Sequence, residues 1–403
     1  MRDVLELGKG ATRATLPLSR VNRHVVVTGA TGTGKTVSLL GIAARLAACG
    51  VPVFFPDVKG DAAPILAASA PTRVLSRFKM PARVIDPVTM ARALGLSHAQ
   101  ASTLEMVWQV GAESDRFATV DDVRGILRHL ERNPRAFPEF GQASPASSRV
   151  LLRSLLSFAR HGGGDLLGEP AFDVATLTDC DSEGRGVVSV LPAERLARSG
   201  DLYPLALLYV LDQIAERFPE CGDLDRPRVV LVFDEAHLIF RDATPESVRD
   251  IARKVRLLRS KGVGLIFATQ AASDLPADVV AQCGTRIQHG LRASSPADLA
   301  ALKVAASTLP VPPKGVDMVD EIRRLGIGQA IVSTVQEDGT PSPARKVMMT
   351  APEPGDFAAV PEPVAIVAPP PPVAGSLSEA VAAIGVFGLV ASLLLFAIGR
   401  AIS

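Results

Sequence analysis

The stretch VVVTGATGTGKTVSLL, residues 25–40, runs an apolar segment into a turn holding Gly29, Gly32 and Gly34, then Lys35 and Thr36, before a helical pattern resumes. Gly29–Thr36 satisfies G-x-x-x-x-G-K-[ST], with the strand before it and the helix after it that this pattern requires. The glycines let successive backbone N–H groups turn inward around phosphate oxygens, and the following helix presents its positive N-terminal end to the same anion. Lys35 is the residue to reach the β- and γ-phosphates and Thr36 the one to hold Mg²⁺. The nucleotide-binding set is therefore Gly29, Ala30, Thr31, Gly32, Thr33, Gly34, Lys35, Thr36 and Val37.

A phosphate cradle alone binds nucleotide without hydrolysing it. Hydrolysis needs a carboxylate to organise the metal and a base for water. VVLVFDEAHLIF, residues 229–240, places Asp234 and Glu235 at the end of an apolar strand, where the carboxyl edge of a parallel sheet collects ligands. Asp234 is expected to hold Mg²⁺ and Glu235 to act as base, while His237 reads as part of the following helix. The next strand, GVGLIFATQ at 262–270, ends in Gln270, placed to sense the γ-phosphate or the attacking water. Ahead of it RDIARKVRLLRSKG, 249–262, sets Ile251, Val255 and Leu258 on one helical face, with Arg249, Arg253 and Arg256 opposite and Arg259 at the flank. Arg256 and Arg259 are candidates to reach a neighbouring subunit's nucleotide, since a planar guanidinium suits transferring phosphate. Arg286 and Arg292 are further candidates. In PDVKGDAA, 56–63, Asp57, Lys59 and Asp61 fall on the same sheet edge, where Asp57 either orders water or metal or belongs to a charged loop leading into a helix.

Around these motifs the 403-residue chain is 47% hydrophobic and carries a formal charge of +1, so any polyanion site must be local. Its four cysteines, Cys49, Cys180, Cys221 and Cys283, form no CxxC pair, which suggests neither a zinc site nor a disulfide framework and fits a reducing cytoplasm. Charges at Arg2, Asp3, Glu6 and Lys9 interrupt any apolar leader. Residues 1–350 alternate short apolar runs with helical stretches, which predicts a mostly parallel sheet flanked by helices in one α/β domain. The expected strands are Val25–Thr28, Pro52–Pro56, Val187–Leu191, Val229–Asp234, Gly264–Thr269 and Arg286–Leu291. Residues 65–180 read as an inserted, mostly helical subdomain, and 328–349 as a terminal hairpin turning at Asp338 and Gly339. Residues 351–378 form a proline-rich linker. The uncharged segment 380–399 is long enough to span a bilayer, or alternatively to pack as a buried or oligomer-forming helix.

Seven ordered segments, NRHVVVTGATGTGKT, VPVFFPDVKGD, LLGEPAFDVATL, GRGVVSVL, RVVLVFDEAHLIF, VRLLRSKGVGLIFATQ and TRIQHGLRASSPAD, together resemble the HerA/FtsK branch of the RecA-like motor ATPases. More narrowly they are similar to the bacterial helicase HerA-like C-terminal family of the YjgR type. The resemblance implies a RecA-like P-loop NTPase fold, ATP hydrolysis with Mg²⁺, and a hexameric ring with active sites between subunits. It matches Lys35 and Thr36 to the phosphate-loop pair, Asp234 and Glu235 to the metal-binding and water-activating acids, and Gln270 to the γ-phosphate sensor. Arg256 and Arg259 align with arginines that related motors place at intersubunit contacts.

The stretch before Val25 is too short for the small N-terminal β-barrel of full-length HerA motors, and the linker and apolar tail suggest a tethered copy at the inner membrane. The expected function is a ring-forming ATPase acting on double-stranded DNA, with a partner nuclease or another protein as an associate. The alternative is a membrane-anchored ATPase that powers a protein assembly or secretion machine. A third reading is an ATP-dependent scaffold, against which the Asp234–Glu235 pair argues.

Overall fold

The structure, a computed structural model, describes residues 4–362 except 113, 115, 139–141, 200, 223, 242, 293–294, 312–314 and 358. The expected apolar helix at 380–399 and residues 363–378 of the expected linker lie outside the described residues. The described residues fall into two compact units, 4–78 with 173–362, and 79–172.

The larger unit is built on an eleven-stranded sheet. In chain order its strands are β1 (Val4–Gly10), β2 (Arg13–Pro17), β3 (Val25–Thr28), β4 (Val53–Asp57), β5 (Thr72–Val74), β6 (Val188–Pro192), β7 (Val229–Phe233), β8 (Val263–Thr269), β9 (Thr285–His289), β10 (Gln329–Ser333) and β11 (Arg345–Met349). Across the sheet they run β2-β1-β11-β10-β9-β3-β8-β7-β4-β6-β5. From β9 to β5 every pairing is parallel; from β9 to β2 every pairing is antiparallel. The parallel strands β3, β4, β7 and β8 are buried along their whole length, as a sheet covered on both faces demands. Their side chains on one face, including Val27, Val53, Phe55, Val230, Val232 and Ile266, pack with Leu39, Leu40, Ile42 and Leu46 of the helix Lys35–Ala48.

The six expected parallel strands are present, each within two residues of its predicted ends. The hairpin is present too: β10 and β11 pair antiparallel, and Gly339 takes φ 85° in the turn. Three strands were not foreseen. β1 and β2 form a hairpin that extends the antiparallel edge through β11, so the stretch before Val25 is part of the same sheet. β5 is only three residues long and closes the opposite edge against β6. It lies inside the span read as helical, as does Arg73, whose buried guanidinium holds Ser189 Oγ at 2.8 Å and Asp179 at 2.8 Å.

The smaller unit carries the helices Pro87–Ala93, His98–Ala112, Val120–Arg132 and Pro145–Phe158. Thr119 and Asp122 form a reciprocal capping box at the start of the third. Trp108 Nε1 donates to the Ile85 carbonyl at 2.8 Å, and its ring meets Phe117 edge-on with centroids 5.1 Å apart.

The first part of the expected linker lies against the sheet unit. Arg45 donates to the carbonyls of Thr350 at 2.7 Å and Ala351 at 3.3 Å. Further on, Gly355 N donates to Ala68 O, Val360 N to Thr72 O, and the Glu362 carboxylate accepts from Ser76 Oγ and Arg77 N. Arg185 stacks 5.0 Å over the Phe357 ring. Thr350, Gly355, Val360 and Glu362 are thus each tied to the sheet unit, from the end of β11 to the segment after β5.

Candidate nucleotide site

β3 stands between β8 and β9, sixth of the eleven strands, so the loop after it emerges at the middle of the whole sheet, on the carboxyl edge of the parallel strands. Its first amides are tied down: Gly29 N donates to Gln270 O at 3.1 Å and Ala30 N to Gly290 O at 3.0 Å. Gly29, Gly32 and Gly34 take φ of 153°, 78° and 103°, which other residues adopt only under strain. A Cβ on Gly34 would lie 2.9 Å from Gly328 N and 3.0 Å from Gly328 Cα, whereas one on Gly32 would meet nothing within 4 Å. The loop is thus held on one side by Gly328, whose N–H also donates to Thr33 O at 2.9 Å, and open on the other.

The helix that follows starts at Lys35 with Gly34 as its N-cap and no side chain capping it. Its first-turn N–H groups have no intrahelical acceptor by the geometry of a helix end, and they carry the positive end of the helix dipole. This is the fit that a nucleoside triphosphate's phosphates require. Lys35 is buried and its Nζ donates to the Thr269 carbonyl at 2.9 Å. Burial lowers its pKa, and the nearby charges of Glu235 and Asp234 oppose that shift.

β7 delivers the two acids. Asp234 is 3% exposed, with Oδ1 accepting the Glu235 N–H at 3.0 Å and Oδ2 turned toward Lys59 at 3.3 Å. Tyr203, fully buried, donates its hydroxyl to the Asp234 carbonyl at 2.8 Å and fixes the strand end; burial first, then the two acids, push the phenol well above its ordinary pKa. Glu235 sits at φ 52°, a left-handed conformation rare for a residue with a long side chain. Its buried Oε2 has no hydrogen-bond partner among the described residues, and the group approaching it is His237 Nδ1 at 3.5 Å. Backbone strain and an unsatisfied buried carboxylate oxygen therefore coincide at Glu235.

The structure brings Lys35, Thr36, Asp234 and Glu235 to one edge, with Gln270 exposed at the end of the intervening strand β8. Thr269 beside it is anchored through Oγ1 to Asp274 at 2.9 Å. Arg256 and Arg259 are exposed on the helix Pro245–Ser260, which leads into the opposite, amino end of β8. The seven residues of β8 put those ends roughly 20 Å apart, so neither arginine serves its own chain's cradle. Arg286 is occupied internally, donating to the Val280 carbonyl at 3.0 Å, and Arg292 is exposed. Asp57 is not a free carboxylate: its oxygens accept from the N–H groups of Gly60 (2.8 Å), Ala62 (2.9 Å) and Ala63 (3.3 Å), which shapes the loop carrying Lys59.

Lys59 lies at the edge where the sequence places it. Tyr203 and Asp274 escaped the sequence, because they belong to other segments and meet the site only through the fold.

A glycine loop between a central parallel strand and a helix, facing paired acids one strand removed, defines a RecA-like P-loop nucleoside triphosphatase. The chain belongs to the helicase HerA-like C-terminal family, which it matches over residues 4–84 and 77–381, and is accordingly a HerA-like P-loop ATPase.

Among solved structures it is similar to the bacterial conjugative coupling protein TrwB in its unbound monoclinic form, with TM-score 0.55, 19% identity, and coverage of 88% of this chain and 90% of that one. The plasmid coupling protein TrwB in complex with ADP and Mg²⁺ gives TM-score 0.55 and 19% identity over 89% and 91%. VirB4 of Thermoanaerobacter pseudethanolicus gives TM-score 0.57 and 16% identity over 86% and 96%. At these identities the likeness is one of fold. A comparison with curated protein sequences finds no match.

Proposed function

We propose that this chain is the Mg²⁺-dependent ATPase of a ring-forming motor that moves or remodels double-stranded DNA. The observation that carries it is the convergence of an uncapped helix N-terminus, Lys35, Thr36, Asp234 and the unsatisfied Glu235 carboxylate on one sheet edge. Lys35 would release the Thr269 carbonyl and turn to the β- and γ-phosphates, and the first-turn amides would cradle the same oxygens. Thr36 Oγ1 and Asp234 Oδ2 would hold Mg²⁺, Asp234 through water. Bound there, the metal neutralises phosphate charge as the terminal phosphoryl group is transferred. Glu235 Oε2 would accept the proton of the attacking water, and Gln270 would orient that water or the γ-phosphate. The fold is compatible with this ligand set, since TrwB has been solved with ADP and Mg²⁺.

The arginines support the ring. Arg256 and Arg259 are exposed and remote from their own cradle, so a second copy is needed for either to meet a nucleotide. Six copies with sites between subunits are the arrangement expected of such motors. DNA is the proposed client, gripped through phosphate; one Trp and two Tyr in the whole chain leave little for base stacking. The apolar segment 380–399 favours a second reading, a membrane-anchored ATPase that powers a protein assembly machine. Phosphate release by the full-length chain, with and without double-stranded DNA between 50 and 200 mM salt (about the range over which phosphate contacts weaken), separates the two. Salt-sensitive acceleration by DNA supports the DNA motor, and turnover indifferent to DNA at every salt concentration supports the protein machine.

A further inference from the structure

Lys59 Nζ lies 2.8 Å from Thr36 Oγ1 and 3.3 Å from Asp234 Oδ2. These are the two oxygens assigned above to Mg²⁺, so a cationic side chain of the protein occupies the gap between them. The placement follows from the loop after β4. Asp57 spends both carboxylate oxygens on backbone N–H groups of residues 60–63, and Gly60 at φ 80° turns the chain so that the preceding side chain faces the cradle. The Lys59 side chain is 41% exposed against 4% for that of Asp234, so the ammonium approaches from the solvent side and has a way back to it.

A lysine ammonium is a compact single charge with three donors on a flexible stem. Mg²⁺ carries two charges and demands oxygens at about 2.0–2.1 Å in near-octahedral order, usually keeping several waters. The two cannot share the space between Thr36 and Asp234. We propose that Lys59 is a positioning residue that holds the metal's place: it keeps the Thr36 hydroxyl and the Asp234 carboxylate in register while no metal is bound, and swings out when Mg²⁺ and nucleotide enter. The idea rests on the Mg²⁺-dependent nucleotide reading of the site. It follows that Lys59 competes with the metal, and the apparent Mg²⁺ affinity is reduced by the fraction of molecules in which the ammonium is seated. It also follows that Asp234 is never left as a buried carboxylate without a cation.

The test is a Mg²⁺ titration of the full-length chain at a fixed concentration of a fluorescent, non-hydrolysable ATP analogue, read by anisotropy, for the parent, Lys59→Met and Lys59→Arg. A melting curve without metal accompanies each titration. The expected result is that Lys59→Met binds with half-saturating Mg²⁺ about three- to tenfold lower than the parent, as a partly exposed ion pair seated most of the time would give. Lys59→Met should also melt lower without metal and lose that difference once Mg²⁺ and analogue saturate. Lys59→Arg, which keeps the charge, should stay close to the parent. An unchanged or raised half-saturating Mg²⁺ in Lys59→Met overturns the role, the raised value showing that Lys59 serves the loaded state instead. A parent that binds the analogue with no dependence on Mg²⁺ overturns the functional reading of the site, and this inference with it.

Discussion

His24 joins two elements through one buried ring: Nδ1 accepts the Leu265 N–H of β8 at 3.2 Å, leaving Nε2–H to donate to the Val255 carbonyl of the arginine-bearing helix at 3.0 Å. The ring is 1% exposed, and burial lowers its pKa from 6.5 to about 4, with the charge of Arg259 acting in the same direction. The imidazole therefore works as a neutral bridge. Protonation would turn the Nδ1 acceptor into a second donor facing another N–H.

The sign of the pH dependence follows. The unfolded chain takes up a proton as pH falls through 6.5, while the folded chain does not until about 4. Stability is thus lost between pH 6.5 and 4 and the loss levels off below that, on the order of 3 kcal/mol for this group. His289, also lowered to about 4 mainly by burial, acts in the same direction. His24→Asn keeps a residue that tolerates φ 56° but removes the titrating bridge. It should unfold more easily at pH 7.5 and show a shallower acid slope in denaturant melts. Parallel slopes would remove His24 as a source of acid lability.

Glu235 combines backbone strain with an unsatisfied oxygen, so removing it should help the fold while harming the reaction. Glu235→Asn is expected to match or exceed the parent in unfolding free energy, by up to about 1 kcal/mol, and to lose at least about a hundredfold in turnover. Thermal melts run beside phosphate release read both effects. A marked loss of stability would mean that the left-handed turn is held for the side chain's packing.

The two inner glycines of the loop differ in their surroundings. Gly34→Ala drives a Cβ into the Gly328 backbone and should weaken nucleotide binding by well over an order of magnitude as the loop is displaced. Gly32→Ala meets open space and should bear only the left-handed strain, about 1 kcal/mol. Equilibrium binding of a fluorescent ATP analogue ranks the pair, and equal losses would remove the Gly328 contact as the cause.

Arginines that act between subunits can be supplied by a partner. Lys35→Ala keeps the arginines and lacks the cradle lysine, whereas Arg256→Ala or Arg259→Ala keeps the cradle. If one arginine works in trans, an equal mixture of the two inactive variants regains about a quarter of the parental turnover, the share of interfaces pairing an intact cradle with an intact arginine. A mixture as inactive as its parts, with mixed assembly shown by pull-down of differently tagged chains, places the catalytic arginine elsewhere.

How far the sequence revealed the fold follows from where its signals are local. The strands β3, β4, β7 and β8 are dominated by apolar residues, and the phosphate loop is a contiguous pattern whose glycines each serve a backbone need. The edge strands are different. In β1 Glu6 alternates with buried Leu5 and Leu7, but Lys9 falls on their side of the period and is exposed only through a bulge between Glu6 and Gly8; in β5 three residues offer no period to recognise. The sequence puts Lys59 on the right edge but not between Thr36 and Asp234, a placement that needs β4 beside β7, and Tyr203 reads as a helix residue until its hydroxyl meets the end of β7. The proline-rich stretch after Thr350 reads as a spacer because its composition carries no core pattern, yet its backbone groups at Gly355 and Val360 find partners on the sheet unit.

Lys35 and Glu235 are proposed to make one hydrolytic site. Steady-state phosphate release from ATP and Mg²⁺ by the full-length chain, beside Lys35→Ala and Glu235→Gln, with ATP-analogue binding measured on each, decides it. Turnover is expected in the parent, loss of both binding and turnover in Lys35→Ala, and in Glu235→Gln near-parental binding with turnover down at least about a hundredfold. Glu235→Gln turning over at the parental rate would rule out Glu235 as the base.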